Sequence, residues 1–390
     1  MTQKLTGNED FAGLSRAEMT IPSLAYYDPA CFRQELENIW FKEWVYLCRS
    51  DMLEKPRSYR TFNIVDQGVL LLRDGDGALR AFHNTCRHRG SVLRKDEAGQ
   101  FNSNLIVCPY HQWCFDMQGN LVRTSSLSEA VDFCKEDYPL YPVAVAEWRG
   151  CIFISLAEEP EPFEEAFKDE VSILANWPVE DLVVGHTWKK TVACNWKTFW
   201  DNYMECLHCP DIHPELVDIM PMAGRRINAM EDDPNWKDHQ GSSDPALIGG
   251  LKAGAETWSF NGKAATCRFE GLSDAARARG QTFMTLLPAI YMVGHVDYMR
   301  IVRLMPLGPE EMEIQAEWLF PEETLADLEF DLENTVGFAK LVMEQDGVAS
   351  EMNQRGMHSI RHKGGVLMPE ERWVYEIVKW YRTAMGDAGV

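Results

Sequence analysis

The sequence has no run of eighteen apolar residues, about the minimum for a helix that crosses a bilayer, so no membrane span is expected. Its first residues, MTQKLTGNEDFAG, have no apolar core of the kind a secretory leader needs. Basic side chains are in deficit: 38 Lys and Arg face 60 Asp and Glu, a net charge of −22. Such a chain is poorly suited to neutralise phosphates, which argues against nucleic acid and anionic lipid as partners. The excess of acid leans weakly towards a cationic partner or substrate. Internal repeats, low-complexity tracts and a G-x-G-x-x-G dinucleotide loop are all missing, so a nicotinamide site belongs on another protein. Cysteines number eleven, an odd count spread along the chain. That pattern points to a reducing, cytoplasmic setting with thiols or metal ligands, not to a disulfide framework.

What is present reads as a globular α+β protein of two to three domains. Asp28-Pro29 is a helix-start pair, and Phe32, Leu36, Ile39 and Trp40 follow as an apolar helical stripe. From Tyr59 the period shortens to that of strands. Thr61–Val65, Val69–Arg73 and Leu79–His83 alternate with Asp- and Gly-containing turns, a meander whose style lasts to about Leu156. The acidic, proline-rich run Glu158-Glu159-Pro160-Glu161-Pro162 marks a boundary. The expected organisation is an N-terminal helical segment at 1–44 packing on a catalytic domain, a β-rich domain at 45–158, and the catalytic domain at 159–390. In the last, helices are expected at 163–176, 195–209, about 323–355 and 370–385. Strands are expected from Val183 and at 255–260, 264–269, 282–293, 296–305 and 311–319, as in an antiparallel sheet, and 225–246 reads as a loop.

Two constellations carry chemistry. In the first, Cys86-Arg-His88-Arg-Gly90 and Cys108-Pro-Tyr-His111-Gln-Trp113 each follow a strand and each offer one thiolate and one imidazole. Structural zinc is one reading, but Cys-x-His is tighter than the usual spacing within a zinc half-site. A [2Fe–2S] cluster with two Cys on one iron and two His on the other fits better. Cys114 and Cys134 nearby read as buried packing residues.

The second lies in Asn195–His213. His208 and His213 are about 140° apart on an ideal helix, so a continuous helix cannot turn both to one metal. Pro210 lets the helix end and His213 swing back. Two imidazoles and a carboxylate form the facial triad of non-haem Fe(II) oxygenases. Asp211 reads as a surface acid. Asp346 is the better third ligand, because it shares a stripe with Ala339, Val342 and Met343, where a lone carboxylate needs a cation. A buried salt bridge with Arg is the alternative. Glu344 and Glu351 lie off that stripe. Glu205, three residues before His208, can take its second N–H, or bridge to another histidine. Asp201 and Asn202 are further candidates for supporting roles, and Cys206 and Cys209 beside His208 weakly mimic a thiol hydrolase.

These motifs together, C-x-H-R-G, C-P-Y-H-x-W and N-W-K…D-N-Y-x-E-x-x-H-x4-H, resemble the large subunit of Rieske non-haem iron oxygenases from about residue 30 to 385. The resemblance implies a Rieske domain of small antiparallel sheets and a helix-grip catalytic domain. It implies Cys86, His88, Cys108 and His111 on the cluster, and His208, His213 and Asp346 on mononuclear Fe(II), with O2 as co-substrate. It implies a homotrimer in which Glu205 carries electrons from a neighbour's cluster, and a separate flavin/iron–sulfur reductase fed by NAD(P)H. Glu205 stands where aromatic-ring dioxygenases carry Asp. The segment D-N-Y-x-E-C-x-H-C resembles the quaternary-amine branch, although Leu207 replaces the Tyr common there. Trp258 with Phe260, and Tyr291 with Val293, are expected to share strand faces that can line a cation pocket.

Overall fold

In the computed structural model, residues 11–265 and 267–386 are described. They form two compact units, one spanning Ile39–Ala166 and the other made of the remaining described residues. The expected 45–158 lies inside the first. Residues on both sides of it are knitted in: Ser155 Oγ donates to Lys42 O at 2.8 Å, and Trp44 Nε1 donates to Glu161 O at 2.9 Å.

This unit contains ten short strands: β1 (Val45–Arg49), β2 (Ser58–Ile64), β3 (Gln67–Arg73), β4 (Leu79–His83), β5 (Ala98–Gln100), β6 (Leu105–Val107), β7 (Cys114–Asp116), β8 (Leu121–Arg123), β9 (Ala144–Trp148) and β10 (Cys151–Ser155). They pair antiparallel into sheets of order β9-β10-β1, β4-β3-β2-β5 and β6-β7-β8. Leu70, Leu72, Phe82, Ile106, Phe115 and Leu121 share one buried cluster. Each such side chain contributes about 1.5–3 kcal/mol by leaving water. The loops after β4 and β6 carry the Cys/His motifs.

In the other unit, α1 (Pro29–Glu35) is capped by the Asp28 side chain, which accepts from the Ala30 and Cys31 amides. Its sheet contains β11 (Val183–Val192), β12 (Thr282–Leu286), β13 (Ile290–Gly294), β14 (Met299–Gly308) and β15 (Glu311–Phe320), antiparallel in the order β11-β15-β14-β13-β12. The helices that matter to the site are α2 (Trp196–Tyr203), α3 (Cys209–Ile212), α4 (Pro214–Ile219), the long α5 (Leu332–Met357) and α6 (Arg372–Met385). Helix α2 packs on both α5 and β14, and α5 also meets β11.

Several local expectations are corrected. The helix expected at 195–209 stops at Tyr203, and Pro210 opens the first turn of α3 instead of closing a longer helix. The run 163–176 holds two one-turn helices, Phe163–Ala166 and Lys168–Ser172. The run 323–355 is interrupted, because Asp331 caps a fresh start of α5 by accepting from the Asn334 amide. No strand forms at 255–260 or in the described part of 264–269. There the backbone bonds go to a helix end: Phe260 N donates to Asn334 O at 3.0 Å and Asn261 N to Asn334 Oδ1 at 3.1 Å. Trp258 is therefore buried from a loop while Phe260 is exposed. The loop expected at 225–246 contains one-turn helices at Met230–Asp232 and Trp236–His239.

Candidate functional site

The two Cys/His loops close on themselves through their backbones. Cys86 N donates to Ser91 O at 2.8 Å and Gly90 N to Cys86 O at 2.9 Å, with Gly90 at φ 74°, where a side chain is disfavoured. Cys108 N donates to Trp113 O at 2.8 Å. Both thiols are buried, and burial with Cys108 alongside pushes the Cys86 thiol up to about 11. The imidazoles of His88 and His111 sit with centroids 4.7 Å apart, His88 stacked on Trp113 at 4.8 Å and His111 against Tyr110 at 3.7 Å. The two thiols thus meet each other, and so do the two imidazoles. A thiol pair and an imidazole pair are the donor set of a [2Fe–2S] cluster with two Cys on one iron and two His on the other. Cys114 is buried as expected, but Cys134 is exposed, its Sγ 3.0 Å from Glu136 Oε2.

The second site is built by the break after α2. Asn195 caps that helix by accepting from the Lys197 amide, and the chain then turns through Met204–Leu207 before α3 starts at Cys209. His208 and His213 flank α3 and meet Asp346 of α5. Ligand atoms of the three lie within 4.8 Å of one another, the one such group among the described residues. His213 Nε2 is 2.8 Å and His208 Nε2 3.4 Å from Asp346 Oδ1. Each imidazole is held from its far side: His208 Nδ1 is 2.5 Å from Glu205 Oε1, and His213 Nδ1 is 2.7 Å from Gln345 Oε1. With Nδ1 held outwards, each Nε2 is turned to Asp346 Oδ1; loss of the Nε2 proton to a metal would give the arrangement that metal-bound histidines use.

Charge agrees with geometry. Burial works against an ionised Asp346, yet the hydrogen bonds with His208 and His213 hold it below the usual carboxylate range. Burial alone would lower His208, but Asp346 and Glu205 raise it to about 9. Two carboxylates against one imidazole make a site that favours a cation, and two nitrogens with one oxygen suit iron. No arginine pairs with Asp346 among the described residues, so the salt-bridge alternative has no partner.

Asp211 instead forms an exposed pair with Arg226 at 2.8 Å. Glu344 is half-buried, and Glu351 accepts from the Ala193 amide at 3.1 Å. Asn202 Nδ2 lies 3.4 Å from the His208 ring, while Asp201 accepts from Tyr26 Oη at 2.6 Å. Cys206 and Cys209 are joined by a disulfide, contrary to the all-thiol expectation: the turn brings their Cα atoms to 4.9 Å. This leaves no thiol nucleophile beside His208. Sequence reasoning missed Gln345 as the holder of His213; its place next to Asp346 was the available signal. It named Trp258 and Tyr291 for an aromatic wall but missed Tyr203 and Phe283. Tyr203 stacks on Tyr291 at 4.1 Å, and Phe283 links Tyr203 at 6.1 Å to Trp258 at 6.2 Å.

Comparisons with known proteins agree with this architecture. Residues 179–387 match the family model described as "Ring hydroxylating alpha subunit (catalytic domain)", and residues 43–140 match "Rieske [2Fe-2S] domain". The glycine betaine monooxygenase oxygenase subunit of Chromohalobacter salexigens is 26% identical over 389 residues, covering 95% of this chain and 86% of the relative. The carnitine monooxygenase oxygenase subunit of Escherichia coli K12 is 32% identical over 244 residues, 61% of this chain and 63% of the relative. The fold is shared with the solved structure of the quaternary ammonium Rieske monooxygenase CntA in complex with gamma-butyrobetaine, at a TM-score of 0.71 and 21% identity over 99% of this chain and 100% of that one. Since the catalytic-domain match alone takes in more than half of the sequence, this chain belongs to the ring-hydroxylating alpha-subunit family of Rieske oxygenases, oxidoreductases that work with a [2Fe–2S] cluster, mononuclear iron and O2.

Proposed function

We propose that this chain is the oxygenase component of a multicomponent monooxygenase that hydroxylates an N-methyl carbon of a small quaternary amine, such as a betaine or carnitine. The reaction balances as follows: the N-methyl ammonium cation, one O2, two electrons and two protons give the N-hydroxymethyl ammonium cation and one water. Loss of formaldehyde and a proton then leaves the tertiary amine. In this reading Cys86, His88, Cys108 and His111 hold the cluster, and His208, His213 and Asp346 hold the iron. When bound, the two groups supply single electrons and O2 activation.

The chain's own residues do the rest. Glu205 and Gln345 fix the tautomers of His208 and His213, and Glu205 faces the route by which electrons arrive. That role for Glu205 requires a neighbouring copy, hence a homotrimer in the cytoplasm, served by a separate flavin/iron–sulfur reductase that takes electrons from NAD(P)H. The observation that carries the substrate class is the aromatic wall. Tyr203, Tyr291, Phe283 and Trp258 form one chain of ring contacts. Asp346 is within electrostatic reach of the Tyr203 and Tyr291 phenols. Ring faces attract quaternary ammonium groups. The names of the betaine and carnitine relatives support the same class.

The test is formaldehyde release and O2 uptake by the iron-replete protein with a reductase, across carnitine, betaines, choline and aromatic acids. Formaldehyde from a quaternary amine is expected. Hydroxylation of an aromatic acid, with every amine inert, would overturn the proposal in favour of ring hydroxylation.

A further inference from the structure

Arg300 lies on β14, in register with Val293 of β13 and Trp318 of β15. Alternation along paired strands puts it on the sheet face that carries Tyr291 and Phe283. It is 3% exposed, and its Nε and Nη1 have no hydrogen-bond partner. No carboxylate pairs with it among the described residues. Two more buried donors nearby are equally without an acceptor, Trp258 Nε1 and Tyr203 Oη. The Trp258 ring centroid is 5.9 Å from the guanidinium carbon, and Phe283 connects Trp258 to Tyr203.

A guanidinium offers only donors and a fixed positive charge. Burying it without a counter-ion is strongly unfavourable, as is each idle donor around it. What is lacking here is an anion that accepts several hydrogen bonds at once. The rings beside it suit the opposite charge, a quaternary ammonium. Arg300 and Asp346 both act on the stacked Tyr203 and Tyr291, with opposite signs. The aromatic pair is therefore within electrostatic reach of both a buried cation and the carboxylate of the trio. A molecule with an anionic and a cationic end would align along that field, its N-methyl groups towards Asp346.

We propose that Arg300 binds the carboxylate of a zwitterionic quaternary amine, so that the enzyme selects betaine-type substrates over carboxylate-free cations and presents their N-methyl end to the metal site. The inference rests on the quaternary-amine reading above. Trp258 Nε1 and Tyr203 Oη would share the carboxylate oxygens. The other ionisable groups facing Arg300, His295, Tyr291 and Tyr298, carry no negative charge that could replace the substrate's: burial and Arg300 lower His295, and burial raises both phenols.

The test is anaerobic calorimetric binding of glycine betaine, carnitine and choline to the iron-loaded holoenzyme and its variants. The wild type should bind at least one carboxylate-bearing amine far more tightly than choline. Arg300→Gln should weaken that binding by about 100-fold and change choline binding less than threefold, with Arg300→Lys recovering part of the loss. Wild-type binding of choline as tight as of both zwitterions would overturn the inference while leaving the quaternary-amine reading intact. So would an unchanged zwitterion affinity in Arg300→Gln, or an equal loss for all three ligands. Binding of none of the three, with benzoate bound instead, would overturn the quaternary-amine reading itself and this inference with it.

Discussion

Gln345 and Asp346, neighbours on α5, hold opposite edges of one imidazole: His213 Nδ1 is 2.7 Å from Gln345 Oε1 and His213 Nε2 is 2.8 Å from Asp346 Oδ1. The amide is itself oriented, because Gln345 Nε2 donates to Glu215 Oε2 at 3.2 Å. With its nitrogen committed there, the oxygen must face His213, and His213 must donate from Nδ1. Nε2, on losing its proton, is then left for a metal.

Gln345→Leu should therefore lower mononuclear iron retention by about 10–100-fold while leaving the [2Fe–2S] spectrum unchanged. Iron and acid-labile sulfide are measured on the same sample after dialysis against a weak chelator. Asp346→Ala should lose the mononuclear iron outright. Full retention in Gln345→Leu would show that His213 needs no orienting partner.

The trio was legible in the sequence because each member breaks a local pattern. Two histidines stand around a proline, and Asp346 interrupts the apolar stripe of Ala339, Val342 and Met343. Glu205 was legible only as a neighbour of His208, and it meets His208 from a turn, not from a helix. Met204 to Leu207 continue a helical composition, so nothing local announced that the helix had ended. Trp258 and Phe260 alternate like a strand, and only the pull of the α5 N-terminus makes that segment a loop. Arg300 was hidden because one charge in a strand reads as a solvated residue. Its burial depends on strands, helices and rings far apart in the chain.

Glu35 and Lys197 are the clearest case of such a distant pairing. Lys197 Nζ is 2.5 Å from Glu35 Oε1, and both side chains are fully buried. Trp196 Nε1 and Tyr381 Oη donate to the same carboxylate at 2.8 and 2.9 Å, which ties α1, α2 and α6 together. Glu35→Ala would leave the buried ammonium with Asn195 Oδ1, aromatic rings and the weaker pull of Asp201. The expected loss is about 3–5 kcal/mol in urea denaturation, with Glu35→Gln between it and the wild type. A loss below about 1 kcal/mol would mean that water enters and solvates Lys197.

Asp201 should give stability a pH dependence. Burial raises its carboxyl to about 7 from an ordinary 3.8, against the hydrogen bond from Tyr26 and the charge of Lys197, and with Glu371 and Glu205 adding repulsion. Between those values the folded protein binds a proton that the unfolded chain has released. The contribution of Asp201 is thus fully present below about pH 4 and lost as pH rises through about 7. Asp201→Asn stays neutral and keeps an acceptor for Tyr26. Its melting temperature minus that of the wild type should be more positive at pH 8 than at pH 5 by scanning calorimetry. A difference that does not change with pH would place the Asp201 titration elsewhere.

Glu205 is the residue on which the two proposed centres depend together. Its Oε1 takes the His208 Nδ1–H at 2.5 Å, and its Oε2 accepts from the Leu207 amide. Each oxygen keeps a second lone pair. The side chain lines a cavity of about 290 Å³ with Asp201, Asn202 and Ser350, where Asp201 Oδ1, Asn202 Oδ1 and Ser350 Oγ have no partner. A neighbour's cluster imidazole could donate there without displacing His208. Glu205→Gln removes that double capacity: whichever way the amide turns, its NH2 faces either the Leu207 N–H or the His208 N–H. His208, His213 and Asp346 remain, so both metal centres should load. Reoxidation of the reduced cluster, mixed rapidly with O2 and substrate, should slow on the order of 100-fold. Wild-type rates in a fully loaded Glu205→Gln protein would reduce Glu205 to a holder of His208 and send the electrons by another route.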